Sequence, residues 1–492
     1  GVALPAARPE PTLASTWYCA GGTAMALDDG ADHVLLVANP TDEPRAGVVT
    51  VLTGAVAAAP PIETTTTAPG ETTVPPETTT TAPPEPTTTT EEPAPIQHAI
   101  ELPAQSRVEL RLGDLVQSEL AGAIVEVAGG RVAVEHQITG PLGRATAPCS
   151  TTASASWTFP WGVTSRGNRE LFVFMNPFPD DATVDIEFAT DEGRRDTARF
   201  QGFIVPGRSV VGAYIDEDVT RKAQVSAAVR VRGGRIIIDR IQTFDGTDGR
   251  NGMTLTLGVP TPALTWAFPM GETGEGLAEQ VVVFNPSDDV AEVEVEVRID
   301  DPQANVPPEP FELTVPPGRY STIDVHAEAR VPPGVGHALI VRSLNDVPIT
   351  AERVNWAVEP APRRGIATTT GAPLGGPIWY LPGGGPTAER DELLTFLNLD
   401  VENPVTVDVT GLADGQTVAI QNLQGLQIAP GARLVVRLGD HIARDDLPIV
   451  VTADGPIVVE RGLYRIGGGG MSQSIGIPLA QDVVVPDAVR AG

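Results

Sequence analysis

Positive charge is scarce in this 492-residue chain: 33 basic residues stand against 63 acidic ones, and Lys222 is the one lysine among them. A formal charge of −30 repels phosphate backbones and anionic lipid surfaces, so nucleic acid is excluded as a natural partner. Long apolar runs are missing as well. None approaches the roughly 18 uninterrupted apolar residues of a membrane helix, so no transmembrane segment is expected. The six histidines form no HExxH-type ligand pair, and neither a GxSxG elbow nor a P-loop is present. Asp245 to Gly252 has the composition of a calcium loop but lacks the EF-hand spacing and its closing glutamate. No metal, cofactor or catalytic residue is therefore expected, and that segment reads as a hairpin loop. There are two cysteines, so at most one disulfide can form.

Glycine (51) and proline (47) are plentiful and interrupt helices, while Val, Ile and Thr fall in short runs. That balance predicts an all-β chain. Length alone, at about 150 residues per domain, suggests three domains, but an internal repeat makes it four. Trp17, Trp157, Trp266 and Trp379 each open a copy, at spacings of 140, 109 and 113 residues. An apolar run then ends at Asn39, Asn176, Asn285 and Asn398, which lie 22, 19, 19 and 19 residues beyond their tryptophans. Proline follows the first three asparagines and Leu399 the fourth, so each run should stop in a turn. Alternating strands such as Val293-Glu294-Val295-Glu296-Val297 come next, with one face apolar and one acidic. A proline turn follows, as in Val205-Pro206-Gly207-Arg208, and a hairpin closes each copy, with a Gly-Gly pair at its turn in copies one and two, as at Arg232-Gly233-Gly234-Arg235.

Seven or eight strands in about 110 residues predict four tandem immunoglobulin-like β-sandwich domains. Propeller blades, at about 40–50 residues, are too short to match. The expected boundaries are an extended tail over 1–12, then sandwiches over 13–152, 153–261, 262–374 and 375–492. Copy one is longer because Asn39 lies 64 residues before Pro103, against 30 from Asn176 to Pro206. The surplus is a Thr/Pro/Glu segment over about 58–95, which has no capacity for a core and reads as a disordered loop, O-glycosylated or bare.

Cys19 replaces Phe159, Phe268 and Leu381 on the opening strand, and Cys149 falls on the expected closing strand of the same copy. In a secreted chain they read as a disulfide, with two separate buried thiols as the alternative. An acid followed by a base recurs at one place in every copy: Glu135-His136, Asp239-Arg240, Glu352-Arg353 and Glu460-Arg461. Neighbours on a strand point to opposite faces, so these pairs read as structural features of the fold. The opening tryptophans read as core anchors. Trp161 and Trp356, which lack counterparts in all copies, are the candidates for a ligand surface.

The openings, the Asn-Pro stops, and Pro456-Ile457-Val458-Val459-Glu460-Arg461 with Pro348-Ile349-Thr350-Ala351-Glu352-Arg353 resemble extracellular actinobacterial repeat proteins carrying W-Y-F-A-E-G, N-P and P-I-V-V-E-R motifs. Trp17-Tyr18-Cys19 also resembles the opening of a secreted actinobacterial family of unknown function. The resemblance spans about residues 15 to 480 and implies a cell-envelope location, with no catalytic residues to carry over. The chain opens Gly1-Val2, which fits removal of a secretion signal or a trimmed chain. The expectation is a secreted, non-catalytic structural or adhesive protein whose partners are cell-wall polysaccharide or other surface proteins. Short junctions such as Gly258 to Thr265 suggest a stacked rod whose domains melt nearly independently. Polysaccharide binding in envelope assembly is the alternative, and a glycosidase using paired carboxylates is third.

Overall fold

A computed structural model describes residues 4–24, 32–58, 95–300 and 308–485. Nearly all of the Thr/Pro/Glu insertion lies outside the described residues. The chain is all-β, a set of sandwiches in which the regular helices among the described residues are four single 3₁₀ turns.

Copy two shows the plan. Its eight strands are Ser156–Phe159, Asn168–Asn176, Ala182–Thr190, Gly193–Val205, Ser209–Tyr214, Val225–Gly233, Ile237–Asp245 and Asn251–Leu257. One sheet runs in the order fourth-third-sixth-first, the other fifth-second-seventh-eighth. The same two orders recur in copies one, three and four. In copy four the sixth and seventh strands are one continuous element, Ile449–Arg465, which takes part in both sheets. Each fifth strand runs into a 3₁₀ turn: Leu112–Asp114, Ile215–Glu217, Val325–Ala327 and Leu438–Asp440.

Sequence alternation translates directly into burial on the third strands. In Ala291–Ile299 the residues Val293, Val295 and Val297 face the core and the acids face outward. The four opening tryptophans are all buried. Trp157, Trp266 and Trp379 donate their indole N–H to the carbonyls of Ile236 (3.0 Å), Ile349 (2.9 Å) and Ile457 (3.1 Å). The side-chain amide of each repeated asparagine ties its turn to the proline turn across the sandwich. Asn285 donates to the carbonyls of Asp289 and Val315, and Asn398 to those of Asn403 and Ala429. Leu399 can therefore stand in for proline, because the amide already fixes the turn.

The Gly-Gly segments are not hairpin turns. The sixth and seventh strands that they join lie in opposite sheets, so Gly129 (φ 85°) and Gly234 (φ 84°) make a corner across the core. The closing hairpin is instead formed by the seventh and eighth strands, as in Ile237–Asp245 with Asn251–Leu257.

Cys19 and Cys149 form a disulfide, both fully buried, with Cα atoms 4.7 Å apart. Its location has a steric explanation. In copies two and three a glycine lies under a phenylalanine: a Cβ on Gly258 or Gly371 would sit 2.7 Å from the ring of Phe159 or Phe268. Copy one exchanges this large–small pair for two cysteines at the same contact.

The copies do not form a rod. The four eighth strands, Gly143–Pro148, Asn251–Leu257, Gly365–Thr370 and Met471–Ile475, lie side by side, and each touches the eighth strand of both neighbours, the fourth meeting the first. Four interfaces of one head-to-tail kind thus close on themselves, as a heterologous contact does when its rotation closes. Small apolar clusters fill the seams: Trp161, Val163 and Phe244 meet Val282, Val354 and Ile366 between copies two and three. Met270 and Ala367 meet Leu393, Tyr464 and Met471 between copies three and four. At the first seam the third strand of copy one, Arg45–Val56, pairs in parallel with Ser209–Tyr214 through residues 54–56. The start of the chain is a strap across the last seam. Leu4 packs in the core of copy four, and Ala7 exchanges backbone hydrogen bonds with Pro478 and Ala480, 2.8 Å each.

Candidate functional site

The acid–base pairs repeated along the sequence come together as a buried circuit. Each seventh strand is covered on both faces, so its acid and its base point toward different neighbouring copies. Arg240 reaches forward to Glu352, bonding through both Nη1 (3.2 Å) and Nη2. Arg353 reaches Glu460 in the same way, with Nη1 at 3.3 Å. Arg461 then reaches from the last copy to the first, placing Nη2 3.0 Å from each oxygen of Glu135. Every acid also accepts a backbone N–H from the residue four places beyond the preceding copy's opening tryptophan. The donors are Gly21 to Asp239 (2.8 Å), Trp161 to Glu352 (3.1 Å), Met270 to Glu460 (2.9 Å) and Gly383 to Glu135 (2.7 Å). One motif, used four times, therefore joins copy to copy.

A second buried position, six residues before each repeated asparagine, completes every node: His33, Glu170, Glu279 and Glu392. Sequence reading overlooked these four, although their constant offset from the asparagine was a usable signal. Burial raises Glu170 to about 8, against the pull of Arg240, and raises Glu392 to about 7, against that of Arg461. Glu279 goes the other way. Its desolvation is outweighed by His337, at 3.0 Å, and by Arg353, which hold it below the usual carboxylate range. Burial also raises Glu352 and Glu460 despite their arginines.

Copy one departs as a unit. Where other copies carry arginine with glutamate, it carries His136 with His33, and their rings are hydrogen-bonded, Nε2 of His33 to Nδ1 of His136 at 3.0 Å. Burial holds His33 down to about 4, and burial together with His33 holds His136 well below the ordinary imidazole range. Both are neutral near pH 7. His136 Nε2, 3.6 Å from Asp239, is thus no ion-pair partner, and burial accordingly raises Asp239 to about 7.

Trp161, expected as a ligand surface, is 1% exposed. Its indole stacks on Phe244 at 6.0 Å in the seam between copies two and three, so ring closure covers it. Trp356 is half-buried, meets the edge of His326 at 5.4 Å, and borders a cleft of about 570 Å³ between the same two copies. Tyr320, Gln224, Gln280, Asp191 and Asp324 share that cleft. Among the described residues no group of acids, histidines or cysteines is arranged to hold a metal. The segment from Asp245 to Gly252 is the loop and edge of the closing hairpin, where Asp248 binds Arg250 and Asn168.

Fold and circuit define a class: a single-chain ring of four β-sandwiches joined through buried charges. A family of unknown function, DUF5719, matches residues 128–238, a window about one repeat long that begins near the end of the sixth strand of copy one. No curated protein matches the chain. Among solved structures the chain is similar to Thermotoga maritima 1070 (18% identity, 23% of this chain and 94% of that one, TM-score 0.20). It is also similar to the Anabaena sensory rhodopsin transducer (27% identity, 18% and 94%, TM-score 0.16). A third similarity is to Streptomyces avermitilis alpha-L-rhamnosidase (8% identity, 77% and 45%, TM-score 0.15).

Proposed function

We propose that this chain is a non-catalytic structural or adhesive protein of the cell envelope, secreted and built as a preassembled ring. One observation carries the reading: the repeated acids and bases, the sequence's best candidates for chemistry, are consumed in joining copies. A group sealed between two domains and bonded on both sides has no access to substrate. The buried disulfide fits an extracellular setting. The ring would act by holding several loop surfaces in fixed relation. Fractionation of the source cells with an antibody to the chain tests the location, and recovery from the cytoplasm alone would refute it.

A second reading, polysaccharide binding, is favoured by the Trp356–Tyr320 cleft. An aromatic face beside amides and carboxylates is the usual chemistry for neutral sugars. A glycan array probed with the wild type and with Trp356→Ala separates the two readings. Binding lost in the variant supports the sugar reading, and an empty array leaves the scaffold.

A further inference from the structure

We propose that the seam closing the ring, between copies four and one, holds a binding site for a sugar-sized ligand bearing one phosphate or carboxylate group. The site goes beyond the structural reading above and does not depend on the Trp356 cleft.

The starting point is a pocket of about 300 Å³ in which three arginines gather, in a chain where acids outnumber bases almost two to one. Arg144 comes from the closing hairpin of copy one, Arg390 from the second strand of copy four and Arg465 from the end of its long strand. Most arginines of this protein have carboxylate partners. Among the described residues the guanidiniums of Arg144 and Arg465 have neither an ion pair nor a side-chain hydrogen bond. Arg390 is oriented by donating to the carbonyls of Gly385 (2.7 Å) and Asp445 (3.1 Å), and the nearby carboxyls of Glu392 and Asp445 offset part of its charge without forming an ion pair with it.

Arg144 and Arg390 are like charges facing one space, and the pocket walls take away part of their water. The ordinary pKa of Arg144 is accordingly pulled down, first by desolvation and next by Arg390. Arg390 is pulled down by desolvation too. An anion placed among them relieves both costs, and guanidinium forks match the two-oxygen geometry of phosphate and carboxylate alike.

The rest of the lining extends the recognition beyond a bare anion. Glu389 and Thr387 offer acceptors and a hydroxyl, Tyr464 an aromatic ring, and Gly469 and Gly470 a close backbone approach. A carboxylate repels the anion itself but accepts from hydroxyl groups, so the combination selects a hydroxylated ligand carrying its charge at one end. The volume suits one monosaccharide unit, free or at a chain end. Because the site draws on both copies, its ligand also clamps the one seam that no covalent junction between sandwiches spans.

The test is isothermal titration calorimetry of the full chain with glucose 1-phosphate, glucuronate and glucose at low salt, repeated with Arg144→Gln and Arg465→Gln. Both substitutions are at solvent-exposed arginines, and an unchanged far-UV spectrum and melting temperature establish that each variant is folded. Expected is binding of at least one anionic sugar, weakened tenfold or more in each variant and by added salt, with Trp356→Ala unaffected. Preference between phosphate and carboxylate then identifies the anion. Absence of binding by both anionic sugars, equal binding of glucose, or full affinity in both variants would overturn the proposal.

Discussion

Replacing Arg461 by methionine should loosen two copies at once. The side chain is buried, and its guanidinium bonds the carbonyl of Gly383 (2.6 Å), both oxygens of Glu135 (3.0 Å) and the hydroxyl of Ser474 (3.3 Å). Methionine roughly fills the space, so the loss is electrostatic. Glu135 would keep the Gly383 N–H but lose its cation, and a buried pair broken on one side costs about 3–5 kcal/mol. The cost should grow with pH, because Arg461 is also the largest influence holding Glu392 down. Without it the carboxyl of Glu392 stays protonated to higher pH in the folded state. Its folded pKa is then further above the unfolded one, so the added deficit is small in mild acid and increases as pH rises. Replacing Glu135 by leucine in the same variant should restore much of the stability, since removing both partners is close to neutral. The assay is residue-resolved hydrogen exchange with urea unfolding at pH 6 and pH 8. Protection should fall in Ile449–Arg465 and in Ala133–Gly140, the strands carrying the two partners in copies four and one. Loss confined to copy four would mean that the copies act independently and that the ring contact contributes little.

Further expectations concern pH, the disulfide and the insertion. Glu170, at about 8, and Asp239 and Glu392, at about 7, have folded values raised above their unfolded ones. Their contribution is complete in acid and is lost as pH rises toward 8, whereas that of His33, at about 4, is lost as pH falls from about 6.5. Between pH 6.5 and 8 only the carboxyls act, so the stability read from urea unfolding should decline there, by roughly 3 kcal/mol in all; a flat or rising stability refutes the assignment, and Glu170→Gln should shrink the decline. Mass spectrometry of an unreduced digest should recover Cys19 joined to Cys149, and Cys19→Ala with Cys149→Ala should cost on the order of 3–5 kcal/mol. Cys19→Phe with Cys149→Gly, which rebuilds the contact of copies two and three, should cost less than the alanine pair by unfolding in denaturant. Deleting residues 60 to 93 should shift the melting temperature by no more than a few degrees, since loop closure costs only about 0.6 kcal/mol per doubling of length. A larger drop would mean that the insertion packs against the ring.

Much of one copy was legible in the chain. Alternation on the third strand, the asparagine stop and the tryptophan anchor are local signals, and each has its counterpart in burial or hydrogen bonding. The Gly-Gly corner was misread because a turn that joins two sheets and one that joins two paired strands call for the same residues at positive φ. A clue to the ring was present and passed unnoticed. The second strands, such as Leu171 to Asn176, are apolar without alternation, as expected where both faces are covered. Trp161 was misplaced for the same reason, since an unrepeated tryptophan looks exposed until a neighbouring copy lies over it.

By itself the sequence determined the repeat, the sandwich class, the position of the disulfide and the recurrence of an acid beside a base, because all of these depend on spacing and local chemistry within one copy. Only the tertiary structure decided to which partner each charge belongs. Arg461 and Glu135 are 326 residues apart, and nothing in their surroundings along the chain relates them. Their pairing depends on the rotation from each copy to the next. That rotation is set by how whole sandwich faces pack, and four such steps bring the last copy back to the first.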